Sequence, residues 1–91
     1  MFLKDADAVI DYRVDWSAAV GEGESIASSS WSVRPLEPGG ISVESGVLED
    51  KLAVVRLGGG IAGHVYRVGN RVTFSDGSVE ERSLAIRVEE R

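Results

Sequence analysis

The chain has no cysteine, one histidine and one methionine among its 91 residues. Without thiols it can build neither a disulfide framework nor a thiolate metal site, and it suits synthesis in a reducing cytoplasm. His64 has no second imidazole to share a zinc ion with, and no acid or nucleophile stands beside it at a recognisable spacing. Basic charge is scarce as well. Ten Lys and Arg against fifteen Asp and Glu leave a net charge of -5, the wrong sign for the phosphates of nucleic acid. No apolar run approaches the roughly 20 residues of a membrane helix. Met1-Phe2-Leu3 is followed at once by Lys4-Asp5-Ala6-Asp7, so no apolar core of a secretory signal is present. These absences predict no nucleic-acid partner, no membrane, no cofactor and no metal.

What is there is a pattern of short strands. At 43% hydrophobic content the chain can build one core, and its length predicts a single domain over 8–91 with residues 1–7 as a flexible N-terminal arm. Ile10, Tyr12, Val14 and Trp16 alternate with Asp11, Arg13 and Asp15, the period of a half-buried strand. Ala27, Ser29, Trp31 and Val33 share one parity, with Ile26 on the other, so a bulge is expected between them. Pro35, Pro38 and Gly39-Gly40 end that strand. Ile41, Val43 and Val47 suggest a third strand, broken by Gly46.

A turn at Leu48 to Lys51 leads to Ala53, Val55 and Leu57, which are expected to face inward. Gly58-Gly59-Gly60-Ile61-Ala62-Gly63 then reads as a glycine corner feeding a long strand whose inner face is Tyr66, Val68, Asn70, Val72 and Phe74. Asp76-Gly77 is the clearest hairpin signal, and Leu84, Ile86 and Val88 line the last strand. Six or seven strands with turn signals between them, and no sustained helical period, predict an all-β, immunoglobulin-like antiparallel β-sandwich. The Cys…Trp…Cys pattern of antibody domains is missing.

Motifs that could carry chemistry have ordinary explanations. The glycine run lacks the Lys-Ser/Thr ending of a phosphate loop and feeds a strand instead of a helix. Asp5, Asp7, Asp11 and Asp15 lack the Gly and distal Glu of a calcium loop. Trp16, Trp31 and Tyr66 could stack on a sugar, but their parity assigns them to the core. No catalytic residue is assigned. Eight arginines stand against two lysines, and most alternate with acids, as expected for cross-strand pairing on a wet face.

Four blocks in order carry a family resemblance. They are Asp11-Tyr12-x-x-Asp15-Trp16-Ser17; Glu24-Ser25-Ile26-Ala27-x-Ser29-x-Trp31-x-Val33; Gly58-Gly59-x-x-Ala62-Gly63-x-x-Tyr66-x-Val68-x-Asn70-x-Val72; and Glu81-Arg82-Ser83-Leu84-x-Ile86-x-Val88. From Asp7 to Arg91 the chain resembles small tailed-phage structural proteins, the phage fiber-tail adaptor or head-tail region family. The resemblance implies a non-enzymatic component of a virion or phage-like particle, an adaptor, connector or decoration module. Its partners would be tail, portal or capsid subunits, or further copies of itself. Exposed sheet edges and the arginines Arg67, Arg71, Arg82 and Arg87 are the expected contact points. The alternative is an Ig-like adhesion or carbohydrate-binding module, which would need an exposed aromatic.

Overall fold

In the computed structural model of the protein, which describes residues 1–90, seven strands form: β1 (Phe2–Asp5), β2 (Ile10–Asp15), β3 (Ile26–Arg34), β4 (Ile41–Glu49), β5 (Leu52–Gly59), β6 (Val65–Phe74) and β7 (Val79–Glu89). Among the described residues there is no helix. Arg91, the last residue of the expected domain, lies outside this description. One sheet has the order β1-β7-β6-β3 and the other β2-β5-β4. If the seven strands are lettered A to G, these orders reproduce the B-E-D and C-F-G sheets of an immunoglobulin sandwich. The first strand has moved to the outer edge beside G.

The alternation read from the sequence sets this packing. Tyr12 and Val14 of β2 with Trp16 just after it, Ala53, Val55 and Leu57 of β5, and Tyr66, Val68, Asn70, Val72 and Phe74 of β6 are all buried between the sheets. Tyr66 stands one residue into β6, and its hydroxyl accepts a hydrogen bond from the Ile61 backbone N–H at 3.2 Å. Such a bond back across the corner between the fifth and sixth strands is the tyrosine corner of this fold class. Trp16 donates from Nε1 to Asn70 Oδ1 at 2.8 Å, while Asn70 Nδ2 donates to Ser29 Oγ at 2.8 Å and Ser30 O at 3.1 Å. The one buried amide in the core is therefore satisfied on both its ends, as burial in low dielectric demands.

Two expectations are corrected. The segment 1–7 carries a strand where a free arm was expected: Phe2–Asp5 pairs with β7, and the pairing is parallel, Phe2 opposite Ile86 and Asp5 opposite Glu89. Lys4 explains why it docks. Its side chain points inward and is fully buried, and Nζ donates to Gly59 O at 2.6 Å and Asp5 O at 2.9 Å. Gly46, in turn, does not break the third strand. β4 runs unbroken, with its irregularity between Val43 and Ser45, and a Cβ at Gly46 would lie 3.0 Å from Trp31 Cδ1. The glycine makes room for an indole. On this strand Val43 and Val47 stand 40% and 53% exposed.

The Asp76-Gly77 turn forms as a three-residue loop: Phe74 N–H bonds Ser78 O at 2.8 Å and Gly77 N–H bonds Phe74 O at 2.9 Å. Only Gly77 takes a positive φ there, 91°, the left-handed residue that closes such a loop.

Burial of Lys4 pushes its pKa below the ordinary 10.5, with Asp5 and Asp7 opposing the shift. The unfolded chain then binds more protons than the folded one in the alkaline range below that value, so this group's contribution to stability grows as pH rises through it. The stability of the protein relative to a Lys4→Met variant should climb between neutral pH and about 10.5. Urea midpoints at several alkaline pH values would check this, and a flat or falling difference would refute it.

Candidate functional site

A sandwich has four free strand edges, each a row of backbone groups able to pair with another chain. Three of them are blunted here. β1 is only four residues long. β2 alternates Asp11, Arg13 and Asp15 along its wet side, and Asp11 is held by Arg56 Nε at 2.8 Å. That hydrogen bond and charge keep the Asp11 carboxyl below the usual carboxylate range. β4 is kinked by its bulge and carries Glu44 and Glu49.

β3 has none of these protections over most of its length. After the irregularity between Ile26 and Ser28, the run Ser28-Ser29-Ser30-Trp31-Ser32-Val33 is uncharged, free of proline, and ends only at Arg34. It forms the outer edge of its sheet.

Beside this edge runs a groove between β3 and β4. Its floor is Trp31, whose indole is half-buried against Gly46. One stretch is lined by Trp31, Val33, Leu36, Ile41 and Val43, and the next by Ser29, Trp31, Val43, Val47 and Leu48. Leu36 is 86% exposed at the rim. Trp31 is thus a correction to the reading that placed all three large aromatics in the core. Trp16 and Tyr66 are fully buried, but Trp31 touches both the core and solvent. It lies on an edge strand among serines too small to cover it.

The outer face of the same sheet is basic. Arg34 stands directly opposite Arg67, Ser30 opposite Arg71, and Val65 opposite Arg87. Like charges paired across strands are unfavourable by themselves. Arg67 Nη1 donates to Ser83 Oγ at 3.0 Å, and Arg87 Nε approaches Glu89 Oε1 at 3.4 Å. Glu81, opposite Arg71, leans over Gly69. A shallow dip is lined by Ser32, Arg34, Arg67, Gly69 and Glu81.

Of the four arginines singled out from the sequence, Arg67, Arg71 and Arg87 therefore share this face. Arg82 points the other way. It donates to Asp15 O at 3.0 Å and places its guanidinium 4.4 Å from the centre of the Trp16 ring, a cation–π contact that shields the core. Arg34 was missed as a contact candidate. Its signal was present: it ends an uncharged strand and is read with the serines before it.

The other motifs settle into structural roles. Gly58 to Gly63 is the corner between sheets, joined to the turn before β4 by Gly60 N–H to Gly39 O and to β7 by Gly63 N–H to Val88 O. His64 Nδ1 lies 2.8 Å from Glu37 Oε1 on the surface. Asp5 and Asp15 each accept a hydrogen bond from the backbone N–H two residues on. Among the described residues, no three His, Cys, Asp or Glu side chains converge as a metal site would require.

The fold and its surface define an Ig-type sandwich with one open strand edge, an apolar groove beside it and a basic outer face. Residues 4–87 match the family described as Podophage GP4 fiber-tail adaptor protein gp77, and the chain belongs to that family. It is accordingly a phage structural protein of the tail-adaptor kind. A comparison with curated proteins finds no match.

Proposed function

We infer that the chain works as a non-enzymatic connector in the virion, joining a fibre to the tail through protein–protein contacts alone. The observation that carries this reading is the family match across 4–87, on a sandwich whose basic face and open edge suit protein contacts. Planar guanidinium groups on a flat sheet suit bidentate contacts to carboxylates, so Arg67, Arg71 and Arg87, joined by Arg34, would meet an acidic patch of a tail or fibre subunit. Repetition on a symmetric particle would multiply modest single contacts into firm attachment.

Particles assembled without this chain should keep heads and tails and lose their fibres, as counted by electron microscopy and mass spectrometry. Normal fibre content would overturn the reading. A combined Arg67→Glu, Arg71→Glu and Arg87→Glu variant should fold and enter particles several-fold less well, since exposed ion pairs are worth about 0.2–1 kcal/mol each.

The glycan-binding alternative has one observation in its favour, the incompletely buried Trp31. Ser29 and Ser30 are the polar side chains beside it and Val43, Val47 and Leu48 are apolar, too few polar groups to hold a sugar, so the groove suits a peptide better.

A further inference from the structure

We propose that the β3 edge is the docking strand of this adaptor, and that its occupant is an extended segment of another virion chain with alternating apolar and acidic side chains. The proposal rests on the connector reading above and names the partner's chemistry. The first observation is the contrast among edges. Shortness, charge or a bulge blunts β1, β2 and β4, whereas Ser28–Val33 is bare. Natural sheets rarely leave a long uncharged edge unprotected, because it templates pairing with any strand that meets it. Small serines let a neighbour approach the backbone closely.

The second observation is what stands on either side of an added strand. Side chains in a strand alternate between faces. Those of a strand laid against β3 would point alternately into the groove over Trp31 and out onto the basic face. In the groove they meet Trp31 and Val43, with Leu36 and Ile41 towards one end and Val47 and Leu48 towards the other, a mainly apolar surface that apolar groups would cover favourably. On the outer face they meet Arg34, with Arg67 and Arg71 one strand further in and Glu81 the nearest acid. Three cations against one anion is a local excess of two positive charges, on a chain whose net charge is -5. The Arg34–Arg67 apposition, unfavourable in the isolated domain, is relieved when a carboxylate settles beside it. Apolar inside and acidic outside is therefore the alternation this edge selects. Backbone pairing would supply the affinity and the two faces the specificity.

A second copy of the chain fits less well. Antiparallel pairing of β3 with itself would bring serine to serine along the edge and place no acid of either β3 strand beside Arg34, since the strand carries none.

The test places a photo-reactive phenylalanine analogue at Ser30, exposed on the outer side of the edge, in chain produced during phage growth. Purified particles are irradiated and the adducts sequenced by mass spectrometry, with the same probe at Arg13 on the opposite sheet as a control. A Ser30 adduct to a segment of another virion protein with alternating apolar and acidic residues supports the proposal. An adduct to a second copy overturns it, as does the chain's presence in particles with no Ser30 adduct. If the chain is missing from particles altogether, the connector reading falls and takes this inference with it. The two failures are thus told apart.

Charge is tested separately. Ser32→Glu sets a carboxylate beside Arg34 and Arg67, where it suits the fold but repels an acidic strand, while Ser32→Lys leaves the edge basic. The Ser30 adduct should fall several-fold in Ser32→Glu and persist in Ser32→Lys. Equal yields in the two variants would refute the acidic partner.

Discussion

Replacing Trp16 by alanine should lower the melting temperature by at least about 15 °C, leaving little folded protein at physiological temperature. Trp16 is wholly buried. It meets Phe74 edge-to-face with ring centroids 6.0 Å apart, donates to Asn70 and carries Arg82 over its ring. Truncating a buried Trp costs about 3–5 kcal/mol in lost transfer energy and residual cavity. The orphaned Asn70 oxygen adds about 1–3 kcal/mol. A chain of this size is stable by only about 5–9 kcal/mol, and each kcal/mol moves its melting temperature by about 4–8 °C.

A Trp16→Phe variant separates the two terms. It keeps most of the volume but not the hydrogen bond, and should lose about half as much. Thermal unfolding followed by circular dichroism checks both. A Trp16→Ala melting point within a few degrees of the native value would show that the two sheets do not depend on this side chain.

The second large effect belongs to the glycine corner. Gly59→Ala should cost about 2–4 kcal/mol, combining left-handed strain with a steric clash. Gly59 has φ 71°, and an added Cβ would lie 2.6 Å from the Gly40 carbonyl oxygen. That oxygen is backbone and cannot swing aside. Gly63 provides the control, because its φ is 89° but a Cβ there meets nothing within 4 Å. Gly63→Ala should therefore cost only the conformational share, about half as much. Denaturant midpoints compare the pair; equal losses would mean that the close approach to Gly40 does not matter.

The same corner shows how far the sequence could be read. Periodicity exposed β2 because it buries one face and wets the other residue by residue; in β5 and β6 the alternating large side chains gave the inner face, although Val54 and Gly69 of the other parity are buried as well. β4 misled for a physical reason. Its bulge shifts the register between Val43 and Ser45, and its valines face a groove instead of the core. A parity rule cannot see either. β1 was hidden because Phe2–Asp5 is short and includes a lysine, which buries only by reaching the Gly59 carbonyl, 55 residues on. No local pattern encodes such a partner.

At the candidate site, the arginines were legible as a group, but not their division. Arg82 shares the parity of Leu84 and Ile86 and so turns towards Trp16, while Arg67 and Arg71 take the parity opposite Val68 and Asn70. Trp31 could not be placed without knowing that β3 ends its sheet. Edge position is a property of topology, and it decides here whether an indole is core or contact surface.

The parallel union of β1 with β7 also has a mechanical consequence. Phe2 lies beside Ile86 and Asp5 beside Glu89, so a pull separating the start of β1 from the end of β7 acts along the strands in opposite directions. Such a load strains the rungs between them together in shear, where an antiparallel hairpin would peel open one rung at a time. With Lys4 pinned to Gly59 behind them, the two strands form a clasp that resists tension applied along them.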